Sequence, residues 1–320
     1  MSIVADYYLA LEKAELHLHL EGSIELETLL ELSPDSTIDE LRARYDYIDF
    51  LGFLQAYKWV TGLIRSPQDY ALVTRRLLEK LAAQNVRYVE LNLSAGVILW
   101  RSQSLPHIYE AAQNAAAESD IEVNWIFDAV RQFGHDAAMR VAEFAAERVG
   151  MGVVGFGIGG DEARVPAQEF ADVFAFAKRS GLHLAPHAGE TSDAQNVWDV
   201  VKLGAERIGH GIRSIEDPEL MRHLRDHDIP LEISITSNIA TGAVASLDVH
   251  PVRRLFDAGV PIVLNSDDPA MFHTTLTDEY RLASSHFGFS NAEIEQLARN
   301  SFRYRFHAPG DRLLTRAENY

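Results

Sequence analysis

The sequence predicts an α/β fold in which eight parallel strands alternate with helices and close as a (β/α)8 TIM-type barrel. Three observations carry this. Eight apolar or alternating strand-like segments run along the chain, helix-length stretches separate them, and the residues suited to chemistry gather where those segments end. The segments are 14–20, 86–94, 122–131, 152–160, 183–190, 207–212, 231–237 and 261–268.

Between the segments, apolar residues recur at spacings of three and four, the period of a helix buried on one face. Phe170, Val173, Phe174 and Phe176 do so within 167–178, and Val197, Val200 and Val201 within 193–203. Gly181, Gly204 and Gly259 supply helix stops. Strands alternating with helices specify parallel βαβ units, and an eightfold alternation closes most naturally as a barrel. A doubly wound open sheet is the alternative, and it calls for a different strand count and a phosphate-binding turn. The glycine-rich string from Gly155 to Asp161 lies mid-chain and has no acidic residue placed to meet a ribose, so dinucleotide binding is set aside.

The chain, 1–320, reads as one barrel domain without repeats or linkers. Residues 21–85 are long for a single crossover and carry Tyr45, Tyr47, Phe50, Phe53, Tyr57 and Trp59. A pair of extra helices packed on the barrel accounts for most of these rings. Long insertions after barrel strands lie on the face where sites are built, so part of 21–85 is expected to fold over the mouth as a lid. The polar tail after about Phe306 is expected to be loosely held.

Hydrophobic residues make up 47% and charged residues 24%, the balance of a soluble globular protein. No apolar run approaches the roughly 18 residues that span a bilayer. The N-terminus lacks the basic, apolar and small-residue sequence of a signal peptide. There is no cysteine, which excludes disulfides, thiolate metal sites and a cysteine nucleophile, and fits a cytoplasmic protein. A formal net charge of −18 repels phosphate backbones and anionic membranes, which points away from nucleic acid and membrane and toward a small-molecule partner. The oligomeric state is left open.

His17 and His19 stand two apart in the first strand, so both imidazoles project from one face into the barrel. Neutral imidazoles still need partners there, which favours metal ligands over core filler. His187 ends the fifth strand as a third inward ligand, and Glu190 follows where the chain turns toward the next helix. His183, four residues deeper, reads as structural. Glycines flank His210 and leave its ring room to reach the mouth. Asp267 and Asp268 end an otherwise apolar strand, where buried carboxylates are costly without a cation. Successive side chains diverge, so one can bind metal while the other reaches elsewhere. Three imidazoles and a carboxylate at C-terminal strand ends suit zinc, with a position left for water. The five lysines, Lys13, Lys58, Lys80, Lys178 and Lys202, fall at no C-terminal strand end, so none can bridge a second metal and one ion per chain is expected.

These motifs together resemble the adenosine deaminase family of the amidohydrolase superfamily: HLHLEGS at 17–23, GGDE at 159–162, HAGE at 187–190, GHG at 209–211, TSNIATGAV at 236–244 and NSDDPAMF at 265–272. The resemblance runs from about Lys13 to about Tyr280 and implies a zinc-dependent aminohydrolase that removes the 6-amino group of an adenine-containing nucleoside. It implies zinc on His17, His19, His187 and Asp267. Glu190 would protonate purine N1, and His210 would orient and help deprotonate the water on the metal. Asp268 would contact N7, the Gly160 backbone N3, and Glu21 the sugar. Two departures bear on the substrate. Glu21 stands where adenosine deaminases have Asp, as in adenine deaminases and the 6-aminodeoxyfutalosine deaminases of menaquinone synthesis. Gly157 stands where an Asp would support His210. Aminodeoxyfutalosine and adenosine are the expected substrates, with adenine third. A mononuclear zinc hydrolase of another C–N or ester bond is the competing enzyme, and a non-catalytic binding protein is disfavoured by the intact ligand set.

Overall fold

Among the described residues nine strands occupy eight barrel positions: β1 (Lys13–His19), β2 (Val86–Leu93), β3 (Glu122–Val130), β4 (Val153–Gly159), β5 (His183–Leu184), β6 (His187–Ala188), β7 (Ile208–His210), β8 (Leu231–Ile233) and β9 (Ile262–Leu264). The computed structural model describes residues 6–307, so the tail expected to be loose lies, beyond 307, outside the described residues. All strand pairs are parallel, in the orders β1-β2-β3-β4-β5 and β6-β7-β8-β9. β5 and β6 share one barrel position, parted by Ala185-Pro186, where proline has no N–H for a ladder. Main-chain bonds still cross beside the break, from Glu206 N to Leu184 O at 2.9 Å and from Gly209 N to Pro186 O at 3.0 Å. A parallel bridge between Leu18 and Asp267 joins the first strand to the last and completes the circuit.

Both faces of β1 are buried, as a strand between a lumen and a helix layer requires. The lumen is charged in its depth. Arg207 donates to Glu90 and to Glu232, and its guanidinium lies 3.5 Å from the centre of the Phe306 ring. Glu232 in turn meets His17 Nδ1 at 2.8 Å.

Four expected strands are shorter than predicted by three residues or more. The sixth, expected over 207–212, spans only Ile208–His210. The fifth is broken as described. The seventh, expected over 231–237, ends at Ile233, and Ile235–Ala240 is a helix. Only Leu231, Glu232 and Ile233 find partners on β9, and the buried Glu279 carboxylate then accepts the N–H groups of Ile235 and Thr236, at 2.9 and 3.2 Å. A carboxyl oxygen that accepts those free N–H groups satisfies a helix start. The eighth, expected over 261–268, ends at Leu264. Gly181, Gly204 and Gly259 do follow their helices at positive φ.

Residues 21–85 form a 3-10 turn, Glu21–Ser23, and the helices Leu26–Leu32, Ile38–Arg44, Phe50–Val60 and Pro67–Ala83. The last is the crossover to β2. It opens with a capping box between Ser66 and Asp69 and with Pro67 in its first turn. The other three helices are additional, one more than the expected pair. Among the described residues no helix is long and apolar enough to cross a membrane.

Candidate active site

One ligand atom each from His17, His19, His187 and Asp267 lies within 4.8 Å of the others. His17 Nε2 and His19 Nε2 are both 3.4 Å from Asp267 Oδ1, and His19 Nε2 is 3.2 Å from His187 Nε2. Four tetrahedral ligands held about 2.1 Å from an ion sit roughly 3.4 Å apart. Glu232 accepts from His17 Nδ1, which leaves the Nε2 lone pair facing the shared centre, and that buried Nε2 has no hydrogen-bond partner. The cluster therefore fits a metal ion.

The electrostatics agree. Burial holds His19 at about 3 and His187 well below the usual imidazole range, the neutral form that ligates. At His17 burial is outweighed by Asp267 and Glu232, which favour the protonated ring, so a cation at the centre would take the place of the Nε2 proton. Asp267 reaches the cluster with φ of 64°, and His210 sits at 60°. Non-glycine residues in this left-handed region are strained, and such strain collects at functional sites.

Glu190 and His210 stand beside the cluster. Glu190 Oε2 is 3.7 Å from His210 Nε2, which is 3.9 Å from Asp267 Oδ2. Burial, then the charges of Asp267 and Glu162, push the Glu190 carboxyl well above the usual carboxylate range. Thr241 Oγ1 donates to Glu190 Oε1 at 3.3 Å. Burial holds His210 at about 4, and its Nδ1 meets the Asn238 side-chain amide at 3.0 Å. Glu162 accepts the backbone N–H groups of Gly189, Glu190, Thr191 and Ser192 at 2.6–3.0 Å, fixing the turn that carries Glu190.

Asp268 and Gly160 line the same cleft as Glu190 and His210. Asp268 lies so close to the 17–23 motif that a Cβ on Gly22 would come within 1.6 Å of its Oδ1, so only glycine fits there. Glu21 is fully buried behind the cleft wall. Its Oε1 accepts from Ser94 N at 3.1 Å and its Oε2 from Tyr57 Oη at 3.2 Å, and it is Ser94 and Tyr57 that face the cleft. His183 lies away from the site, bonded to Glu206 at 2.9 Å and stacked on Phe306.

The space beside Gly157 is filled from the neighbouring strand. A Cβ there would meet Asp128 Oδ1 at 2.0 Å. Asp128 is buried, its carboxylate oxygens have no hydrogen-bond partner, and Oδ2 is 3.6 Å from His19 Nδ1. Sequence reasoning assigned no role to Asp128, Glu162, Glu232 or Asn238. Glu232 had a signal, as a carboxylate between two apolar strand residues, and Glu162 lies in the GGDE motif. Asn238 lies just past the strand expected over 231–237, within the TSNIATGAV motif.

The cleft measures about 290 Å³. Its inner end holds the cluster, and beyond it stand Phe50, Leu54, Val97, Trp100 and Phe133. Trp100 and Phe133 stack 5.3 Å apart, and Lys58 Nζ lies 5.4 Å from the Trp100 ring. Phe50, Phe53 and Tyr57 of the helix Phe50–Val60 form one wall.

A parallel barrel with such a cluster at its C-terminal strand ends, flanked by a buried carboxyl and a fourth imidazole, defines a metal-site hydrolase barrel. The sequence profile of the family described as "Adenosine deaminase" matches residues 12–314, and this chain belongs to that family. It is 40% identical over 310 residues to the aminodeoxyfutalosine deaminase of Streptomyces avermitilis, covering 92% of this chain and 87% of that one. Its fold is similar to the crystal structure of an adenine deaminase from Arthrobacter aurescens, with a TM-score of 0.87, 29% identity and coverage of 95% and 96% of the two chains. It is also similar to a Burkholderia ambifaria amidohydrolase solved with bound Zn, with a TM-score of 0.85, 25% identity and coverage of 97% and 90%.

Proposed function

We propose that this chain is a zinc-dependent aminohydrolase that replaces the 6-amino group of an adenine-containing nucleoside, 6-aminodeoxyfutalosine or adenosine, with oxygen and releases ammonia. The placement of Glu190 and His210 on one side of the ligand cluster, 3.7 Å apart, carries the reading. The metal would be held by His17, His19, His187 and Asp267, and the zinc-bearing amidohydrolase of similar fold supports the choice of ion. Zinc bound there would make water nucleophilic near neutral pH.

The chain's own residues do the rest. Addition at purine C6 requires N1 to gain a proton, and Glu190 is the acid that buried surroundings keep protonated. His210, neutral through burial, orients the water beside Asp267. Asp268 and the Gly160 backbone hold the far edge of the ring at N7 and N3. Tyr57 and Ser94, both bonded to Glu21, meet the sugar. The helix Phe50–Val60 acts as the lid.

The apolar outer cleft with Lys58 at its edge favours a nucleoside with a further apolar substituent over free adenine. Comparison of kcat/KM on aminodeoxyfutalosine, adenosine and adenine, followed by ammonia release, tests this. Failure to turn over any of the three removes the reading, and hydrolysis of an amide or ester in their place establishes the competing enzyme. The same reading places the enzyme in the cytoplasm, acting on a small molecule.

A further inference from the structure

A line of hydrogen bonds runs from the main chain to His210, and its direction is fixed at its root. The backbone N–H of Val252 donates to His250 Nδ1 at 3.2 Å. A backbone N–H can only donate, so His250 Nδ1 is an acceptor and the proton of this buried imidazole sits on Nε2. His250 Nε2 lies 3.2 Å from Asn238 Oδ1. Asn238 must therefore accept there and turn its NH2 group toward His210 Nδ1, at 3.0 Å. Asn238 is 0% exposed, His210 1% and His250 4%, so these contacts are shielded from bulk solvent.

The reverse arrangement fails. Flipping the Asn238 amide sets its NH2 against His250 Nε2–H. Moving that proton to Nδ1 then sets Nδ1–H against the Val252 N–H. Either way two donors face each other in a buried place, at a cost of about 1–3 kcal/mol or more.

We infer that Val252, His250 and Asn238 form a tautomer-setting relay that fixes His210 as the Nε2–H imidazole. His210 thereby presents an N–H to Glu190 and Asp267, at 3.7 and 3.9 Å, and to whatever oxygen stands between them. It holds that oxygen as a hydrogen-bond donor. The role expected of it narrows from orienting and deprotonating the water to orienting it. His250 and Asn238 are positioning residues that act only through His210. The bond directions stand on geometry alone, and their catalytic consequence rests on the function proposed above.

The wild-type enzyme labelled with 15N-histidine decides the matter by long-range 1H–15N correlation, the His210 signals being assigned by their loss in His210→Gln. The relay requires a protonated Nε2 and an unprotonated Nδ1. A signal from Nδ1–H, alone or with Nε2–H, overturns it. Asn238→Asp supplies a second arm. A carboxylate there accepts from both rings, so the His210 proton moves to or appears on Nδ1. Turnover is then expected to fall about 10²- to 10⁴-fold, the scale seen when a catalytic histidine is held in the wrong tautomer. KM is expected to change by far less. Unchanged His210 shifts in that variant overturn the relay, as does unchanged kcat with moved shifts for its catalytic part. An enzyme that shows the Nε2–H form but deaminates none of the three substrates leaves the relay standing and removes the function.

Discussion

Glu162 Oε1 accepts the backbone N–H of Glu190 at 2.7 Å, so the turn that carries the Glu190 carboxyl into the cleft is held by a carboxylate that does not line it. Glu162→Gln turns an NH2 group toward N–H donors that need an acceptor. Turnover is expected to fall about 10²-fold, the scale of a roughly 1 Å misplacement. Stability is expected to fall by about 1–3 kcal/mol. Steady-state rates and thermal melts check both, and wild-type turnover in the variant contradicts the anchoring role.

Glu190→Gln keeps the shape of the side chain and removes the acidic proton. The loss expected is about 10²- to 10⁴-fold in kcat. Metal content, measured on the same sample, should match wild type. Loss of metal together with activity would reassign Glu190 to the ligand set.

Chelation should abolish turnover, and zinc should restore it. Elemental analysis of the active enzyme is expected to give one ion per chain. Asp267→Ala should lose the ion as well as the activity, since Asp267 Oδ1 is 3.4 Å from both His17 Nε2 and His19 Nε2. Two tightly held ions in the active form would contradict the single-metal site.

Asp128 and Gly157 compete for one space, so their substitutions should not add. Gly157→Asp alone forces two carboxylates together, since even its Cβ lands 2.0 Å from Asp128 Oδ1. The pair Asp128→Gly with Gly157→Asp moves the carboxylate from β3 to β4. We expect the single variants to bind zinc about 10- to 100-fold more weakly and the pair to recover most of that. Chelator competition gives the affinities, and a pair no better than its worse single contradicts the shared role.

Burial raises the Glu279 carboxyl from 4.5 to about 7. The folded state therefore keeps this proton in a window where the unfolded chain has released it. Its contribution is full below about 4.5 and is lost as pH rises to about 7, so stability falls across that interval. Glu279→Gln should remove this slope, worth on the order of 1–3 kcal/mol. Denaturant melts of both proteins at pH 5 and 8 measure it, and parallel slopes refute it.

Much of this was legible before any coordinates. His17 and His19 declared themselves by alternation, and His187 and Asp267 by their places at strand ends, because a barrel strand repeats every two residues and puts its chemistry at one end. The residues that hold those ligands were harder to read. Glu232 supports His17 from two strands away in the circuit and 215 residues on in the sequence, and Asp128 lies beside Gly157 only because two strands run in register. Neither relation leaves a local trace. Ile235, Thr236 and Ser237 were misplaced because LEISITS, read alone, alternates like a strand to its end. Its helix is set by Glu279, 44 residues downstream of Ile235. Short strands at the barrel's second half blurred for the same reason, since three paired residues carry too little period to mark an end.

The break at Ala185-Pro186 would give an ion bound at the cluster a mechanical task. His17 and His19 belong to the five-stranded sheet, whereas His187 belongs to the four-stranded sheet and Asp267 follows its last strand. A metal on all four would be a rivet across both seams of the barrel, the broken one and the one that the Leu18–Asp267 bridge closes. Apo protein should then breathe along these seams, with amide exchange quickening in β6 and β7 before the outer helices loosen. Loading with zinc would set the shape of the cleft as well as its chemistry.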